Sequence, residues 1–106
     1  MRKTIHYYFS VNSPWAYLGN RELARIAKTY NATIQAHPVS LATIFPQTGG
    51  VPVNQRASPR QVYRLVELKR WRDYRKIQLH PEPPHFPVDE GLPSRAILAA
   101  EALGGD

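Results

Sequence analysis

The stretch from Thr4 to Val39 constrains the fold more than any other part of the chain. In Thr4 to Phe9, Ile5, Tyr7 and Phe9 alternate with His6, Tyr8 and Ser10, and aromatic residues favour strands. A turn at Val11-Asn12 follows. Ser13 is a good N-cap, and Pro14 fits the first helical position, where its missing N–H costs nothing. The helix then runs to about Tyr30. Trp15, Leu18, Leu23, Ile26, Ala27 and Tyr30 mark its broad apolar face, and Asn31 suits the position just past its end. A second strand spans Thr33 to Val39. This strand–helix–strand spacing predicts a right-handed parallel βαβ unit.

The remainder is less regular. From Phe45 to Pro59 the pattern reads as loop: "PQTGGVPVNQRASP" holds three prolines and a Gly-Gly pair and has no periodicity. A second helix is expected from Pro59 to about Ile77, with Ser58 as its cap. Val62, Leu65, Val66, the stem of Lys69, Trp71 and Tyr74 are its expected inward positions. "HPEPPHFPVDEGLP", His80 to Pro93, is a proline-rich connector. A last helix is expected over Ser94 to Leu103, before Gly104-Gly105.

Two strands are few for three helices. A two-stranded sheet is marginal in water, and parallel strands are normally covered on both faces. The apolar helix "AILAAEALGG" at the end of the chain has no evident partner. The expectation is therefore that further strands are supplied elsewhere, by a missing C-terminal half or by another chain, as in a homodimer. Residues 1–45 would form the βαβ part, and 46–106 a loop and an incomplete helical insertion.

At 106 residues, 42% hydrophobic and 21% charged, the chain has the size and composition of one globular domain. No apolar run approaches the roughly 20 residues of a membrane span. Met1-Arg2-Lys3-Thr4 leads straight into the first strand, too polar a start for a secretion signal, so the expected location is cytoplasmic. There are no cysteines. Disulfides, thiol redox chemistry and cysteine metal sites are excluded for this chain acting alone, and any sulfur chemistry must use a ligand's sulfur.

The net charge of +6 is compatible with nucleic acid, an anionic surface, small anions or solubility alone. The second helix carries Arg60, Arg64, Lys69, Arg70, Arg72, Arg75 and Lys76, either as a solvated face or as an attractor of small anions. It has no recognition motif, and the aromatic residues sit mostly on apolar faces, so no nucleic-acid partner is expected. His37, His80 and His85 lack metal-ligand spacing, so no metal is expected.

The junction "YYFSVNSPWAYLGN" has a counterpart in thiol oxidoreductases, where Cys-Pro-x-Cys occupies the positions of Ser13, Pro14, Trp15 and Ala16. With "HPVSLATIF", "TGGVP", "YRLVELKRW" and "HFPVD" in order, the chain resembles the first half of the 2-hydroxychromene-2-carboxylate isomerases. These are relatives of kappa-class glutathione transferases within the thioredoxin superfamily. The resemblance implies an α/β fold with a thioredoxin-like βαβ start and the beginning of an inserted helical domain. The family's return segment, which completes the sheet, has no counterpart here. The implied activity is glutathione-dependent interconversion of 2-hydroxychromene-2-carboxylate and trans-o-hydroxybenzylidenepyruvate. Glutathione is the implied cofactor, and a small aromatic carboxylate the implied substrate.

On this resemblance Ser13 is the implied catalytic residue, receiving a glutathione thiolate where thiol oxidoreductases place the attacking cysteine. A hydroxyl can donate one hydrogen bond to it, and the helix N-terminus adds partial positive charge. The dipole alone would move a thiol by about one pKa unit, from roughly 8.5 to roughly 7.5. Pro14, Arg60 and Asn54 are implied glutathione contacts, with Gly50 as an alternative to Asn54. Asn12, Trp15 and Tyr17 are implied substrate contacts. Each has a plainer reading: Ser13 as a cap, Asn12 as a turn residue, Trp15 as core. A non-catalytic thioredoxin-like module binding glutathione or protein is the alternative function. A nucleic-acid binder is a third reading, resting on charge alone.

Overall fold

A computed structural model describes residues 2–84, 86–87 and 89–103. His85 and the Gly104-Gly105 pair lie outside the described residues. β1 (Thr4–Phe9) and β2 (Thr33–Pro38) pair in parallel, from Thr4 opposite Thr33 to Phe9 opposite Pro38. α1 (Pro14–Thr29) connects them. α2 (Leu41–Thr48), a 3-10 turn (Val53–Gln55), α3 (Ser58–Arg75) and α4 (Gly91–Ala102) follow. Among the described residues the sheet has these two strands.

The expected βαβ unit is present. Ile5, Tyr7 and Phe9 are half-buried, while Thr4, His6 and Tyr8 are exposed. On the exposed face the Tyr8 and His37 rings stack at 4.5 Å, and His6 Nδ1 lies 3.0 Å from His37 Nε2. Asn31 adopts φ 50, the left-handed turn that ends α1. α4 shields the outer edge of β2, where the Glu101 carboxylate accepts the Ala36 N–H at 2.9 Å.

The segment expected to be loop from Phe45 to Pro59 begins inside a helix. Ser40 caps α2, its side chain accepting the Thr43 N–H, and Gly49 ends it at φ 78. Pro46 obscured this helix in the sequence, because an interior proline removes a backbone donor. The division at residues 45 and 46 runs through α2.

α3 also departs from expectation. Ser58 is its first residue rather than its cap; Ala57 holds the cap position without a side-chain hydrogen bond. The buried centre of α3 is Leu68, at 0% exposure, and not the expected set. Val62 is 60% exposed and Tyr74 72%; Val66, Lys69 and Trp71 are also exposed, and only Leu65 is half-buried. The inward stripe runs Gln61, Arg64, Leu65, Leu68, Arg72 and Arg75, with arginine stems serving as apolar surface. α3 packs on α1 through Leu68 and Leu18, with Ile77 and Leu79 closing the cluster. Arg75 reaches back to Glu22 of α1 at 3.7 Å. α4 starts earlier than expected, at Gly91, because Pro93 falls in its first turn, where no N–H is needed.

Candidate active site

The turn between β1 and α1 is fixed by one buried side chain. The Ser10 hydroxyl donates to the Glu90 carboxylate and accepts the Asn12 N–H at 3.1 Å. The Ser10 carbonyl accepts the Ser13 N–H at 3.1 Å. Ser13, at φ −77 and ψ 116, is therefore set as the N-cap of α1. Its Oγ accepts the Ala16 N–H at 3.2 Å, and its carbonyl accepts the Tyr17 N–H at 3.2 Å. The Ser13 hydroxyl hydrogen has no acceptor among the described residues, so the group can donate while it caps. No acidic residue sits in the first turn of α1 to offset the positive end of the helix.

Ser13 opens onto a cleft of about 340 Å³. One wall is Val11, Asn12, Pro14 and Tyr17. The opposite wall is the connector after α3: Leu79, His80, Pro81, Pro83, Pro84 and Phe86. The Tyr17 hydroxyl donates to the Gln78 carbonyl at 2.8 Å, pinning the connector to α1. Prolines offer no N–H, so apart from His80 this wall is largely apolar. Arg64 of α3 completes the lining. Its guanidinium lies 5.4 Å from the centre of the Phe86 ring. Burial, and then the like charge of Arg56, pull it below its ordinary pKa.

The structure thus brings Ser13, Pro14, Asn12 and Tyr17 together. Trp15 is turned away from this cleft; it lines a second, more open depression with Tyr8, Phe9 and Leu23, which Ser13 also borders. Arg60 and Asn54 are exposed and line neither. Gly50 packs flat against Phe45; a Cβ there would come within 2.3 Å of the ring, so its small size already has a packing reason. In the sequence Arg64 was one of seven basic residues on the expected second helix, Pro59 to about Ile77. The signal that could have singled it out is its four-residue spacing from Leu68, which places both on the inward face.

Among the described residues no group of three or more His, Asp or Glu is placed to hold a metal ion. No described helix is long and apolar enough to cross a membrane.

A parallel βαβ unit whose helix begins with a cap at a cleft, followed by helices, fits the start of a thioredoxin-like fold. A family model described as a DSBA-like thioredoxin domain matches residues 4–105, and the chain belongs to that family. Curated relatives are 2-hydroxychromene-2-carboxylate isomerases. That of Pseudomonas putida is 33% identical over 86 residues, 80% of this chain and 40% of that one. That of Pseudomonas sp. (strain C18) is 32% identical over 76 residues, 71% of this chain and 36% of that one. A solved structure of selenomethionine 2-hydroxychromene-2-carboxylate isomerase superposes with a TM-score of 0.67 at 22% identity, covering 97% of this chain and 66% of that one. The chain spans about 40% of the Pseudomonas putida relative it matches.

Proposed function

We propose that the chain provides the thiol-binding part of a glutathione-dependent isomerase of the 2-hydroxychromene-2-carboxylate type. The observation that carries this reading is Ser13: a cap residue whose hydroxyl hydrogen has no acceptor among the described residues, at a helix N-terminus, bordering a largely apolar cleft. The residues present fit a thiolate. The Ser13 hydroxyl can donate to sulfur, and the α1 N-terminus contributes partial positive charge. No cysteine is present to form a mixed disulfide with it.

What glutathione supplies is a nucleophile able to add to a conjugated acid, free a carbon–carbon bond to rotate, and leave. Ser13 and the helix end hold that sulfur ionised. Pro14, Tyr17 and the proline wall would flank it in the cleft. Names of relatives support the isomerase; glutathione dependence rests on the site chemistry.

Calorimetric titration with glutathione, paired with an isomerisation assay, tests the reading. Binding together with glutathione-dependent turnover is expected. Absence of glutathione binding rejects it. Binding without turnover favours the alternative, a non-catalytic module, for which the half-covered inner face of the sheet is the supporting observation.

A further inference from the structure

We infer that Arg64 is the carboxylate-recognising residue of the cleft, seating a small planar aryl carboxylate against Phe86 and the proline wall. The inference rests on the isomerase reading only for the identity of the substrate; the binding chemistry stands on the cleft alone.

Three observations carry it. Among the described residues that line the cleft, Arg64 is the one arginine or lysine, His80 is the other basic side chain, and there is no aspartate or glutamate. Among the described residues no carboxylate pairs with Arg64. Its guanidinium stands over Phe86, so the position of the fork is set before a ligand arrives. An arginine fork matches a carboxylate in two parallel hydrogen bonds. The walls beside it, Leu79, Pro81, Pro83, Pro84 and Phe86, suit a flat apolar body.

The same charge could hold a carboxylate of glutathione. The apolar walls assign it to the aryl acid, and glutathione affinity distinguishes the two. Arg60, by contrast, is exposed and away from the cleft. A face of many basic residues would steer any anion; a single arginine fixed beside an aromatic ring selects one geometry.

The test is binding of trans-cinnamate, with cinnamamide as its uncharged counterpart, by calorimetry or ligand-detected magnetic resonance. Wild-type protein should bind cinnamate and discriminate against the amide. Arg64→Gln should weaken cinnamate binding by about 10- to 100-fold, the scale of a lost charge-assisted hydrogen bond. Arg64→Lys keeps the charge but not the fork and should fall between. Arg60→Gln should leave cinnamate affinity within about twofold, and Arg64→Gln should leave glutathione affinity similarly unchanged. Circular dichroism of each variant confirms that the fold is kept, and Arg64→Lys carries the test if Arg64→Gln does not fold.

The inference is overturned by equal affinity for cinnamate and cinnamamide, by no cinnamate binding, or by Arg64→Gln lowering glutathione affinity instead. Glutathione binding without cinnamate binding removes this inference and leaves the isomerase reading. Arg64-dependent cinnamate binding without isomerisation does the reverse.

Discussion

The Ser10 hydroxyl donates to the Glu90 carboxylate across 80 positions of sequence, and both residues are buried. The second Glu90 oxygen accepts the Leu41 N–H at 3.3 Å. One carboxylate therefore ties together the end of β1, the start of α2 and the start of α4. It also holds the turn that presents Ser13, because the same Ser10 oxygen accepts the Asn12 N–H.

Removing that carboxylate leaves the buried Ser10 hydroxyl and the part-buried Leu41 N–H without this acceptor. Glu90→Ala should cost about 1–3 kcal/mol of stability, and Glu90→Gln, which keeps a carbonyl acceptor, should cost less. Denaturant unfolding gives both values. Equal stability of wild type and Glu90→Ala would show that the link is not stabilising.

The core is small, and Leu68 is its centre. Leu68→Ala should cost about 2–5 kcal/mol, comparable to the whole stability of a small domain, and should abolish a cooperative transition. Val62→Ala, on the exposed side of the same helix, should stay within about 0.5 kcal/mol. Thermal melts of the two variants would reveal a misplaced inward face if their order were reversed.

The βαβ unit was legible in the sequence because each of its signals is local. Alternating aromatics, the Ser13-Pro14 start and Asn31 act within a turn of where they stand. The inward face of α3 was not legible. Its aromatics suggested Trp71 and Tyr74, yet these cluster with Arg75 at the surface, Trp71 and Tyr74 edge to face at 5.6 Å and the guanidinium 5.6 and 5.5 Å from their rings. The seam is chosen by where Leu18 of α1 can reach, a tertiary fact. In the candidate site, Ser13, Pro14, Asn12 and Tyr17 were readable because they flank one turn. Arg64 was not, because the connector that forms the opposite wall meets α3 only after folding.

Alkaline pH should weaken the fold through Tyr7. Its hydroxyl donates to Asn20 Oδ1 at 2.6 Å, and burial pushes its pKa above the ordinary value. The unfolded chain then loses this proton first. The contribution is intact below about pH 10, the unfolded value, and is lost as pH rises through the higher folded one. Tyr7→Phe should flatten that part of the stability profile above about pH 10. An unchanged alkaline slope in the variant would contradict the assignment.

The apolar residues of α4 and its end remain largely uncovered, with Leu92 72% and Leu103 89% exposed. Burying such a side chain is worth roughly 1.5–3 kcal/mol. The 106-residue chain should therefore self-associate. Sedimentation at micromolar concentration decides this; a monomer with a cooperative melt would show that two strands suffice.

The central claim is that Ser13 and the N-terminus of α1 hold a thiolate. The pH titration of bound glutathione, followed by the ultraviolet absorbance of its thiolate, tests it most directly. Wild-type protein should lower the thiol pKa from about 8.5 by about one unit or more. Ser13→Ala should return it part of the way, since the hydroxyl donor is lost while the helix end remains. An unshifted titration in the wild type, or an equally lowered one in Ser13→Ala, would contradict the account.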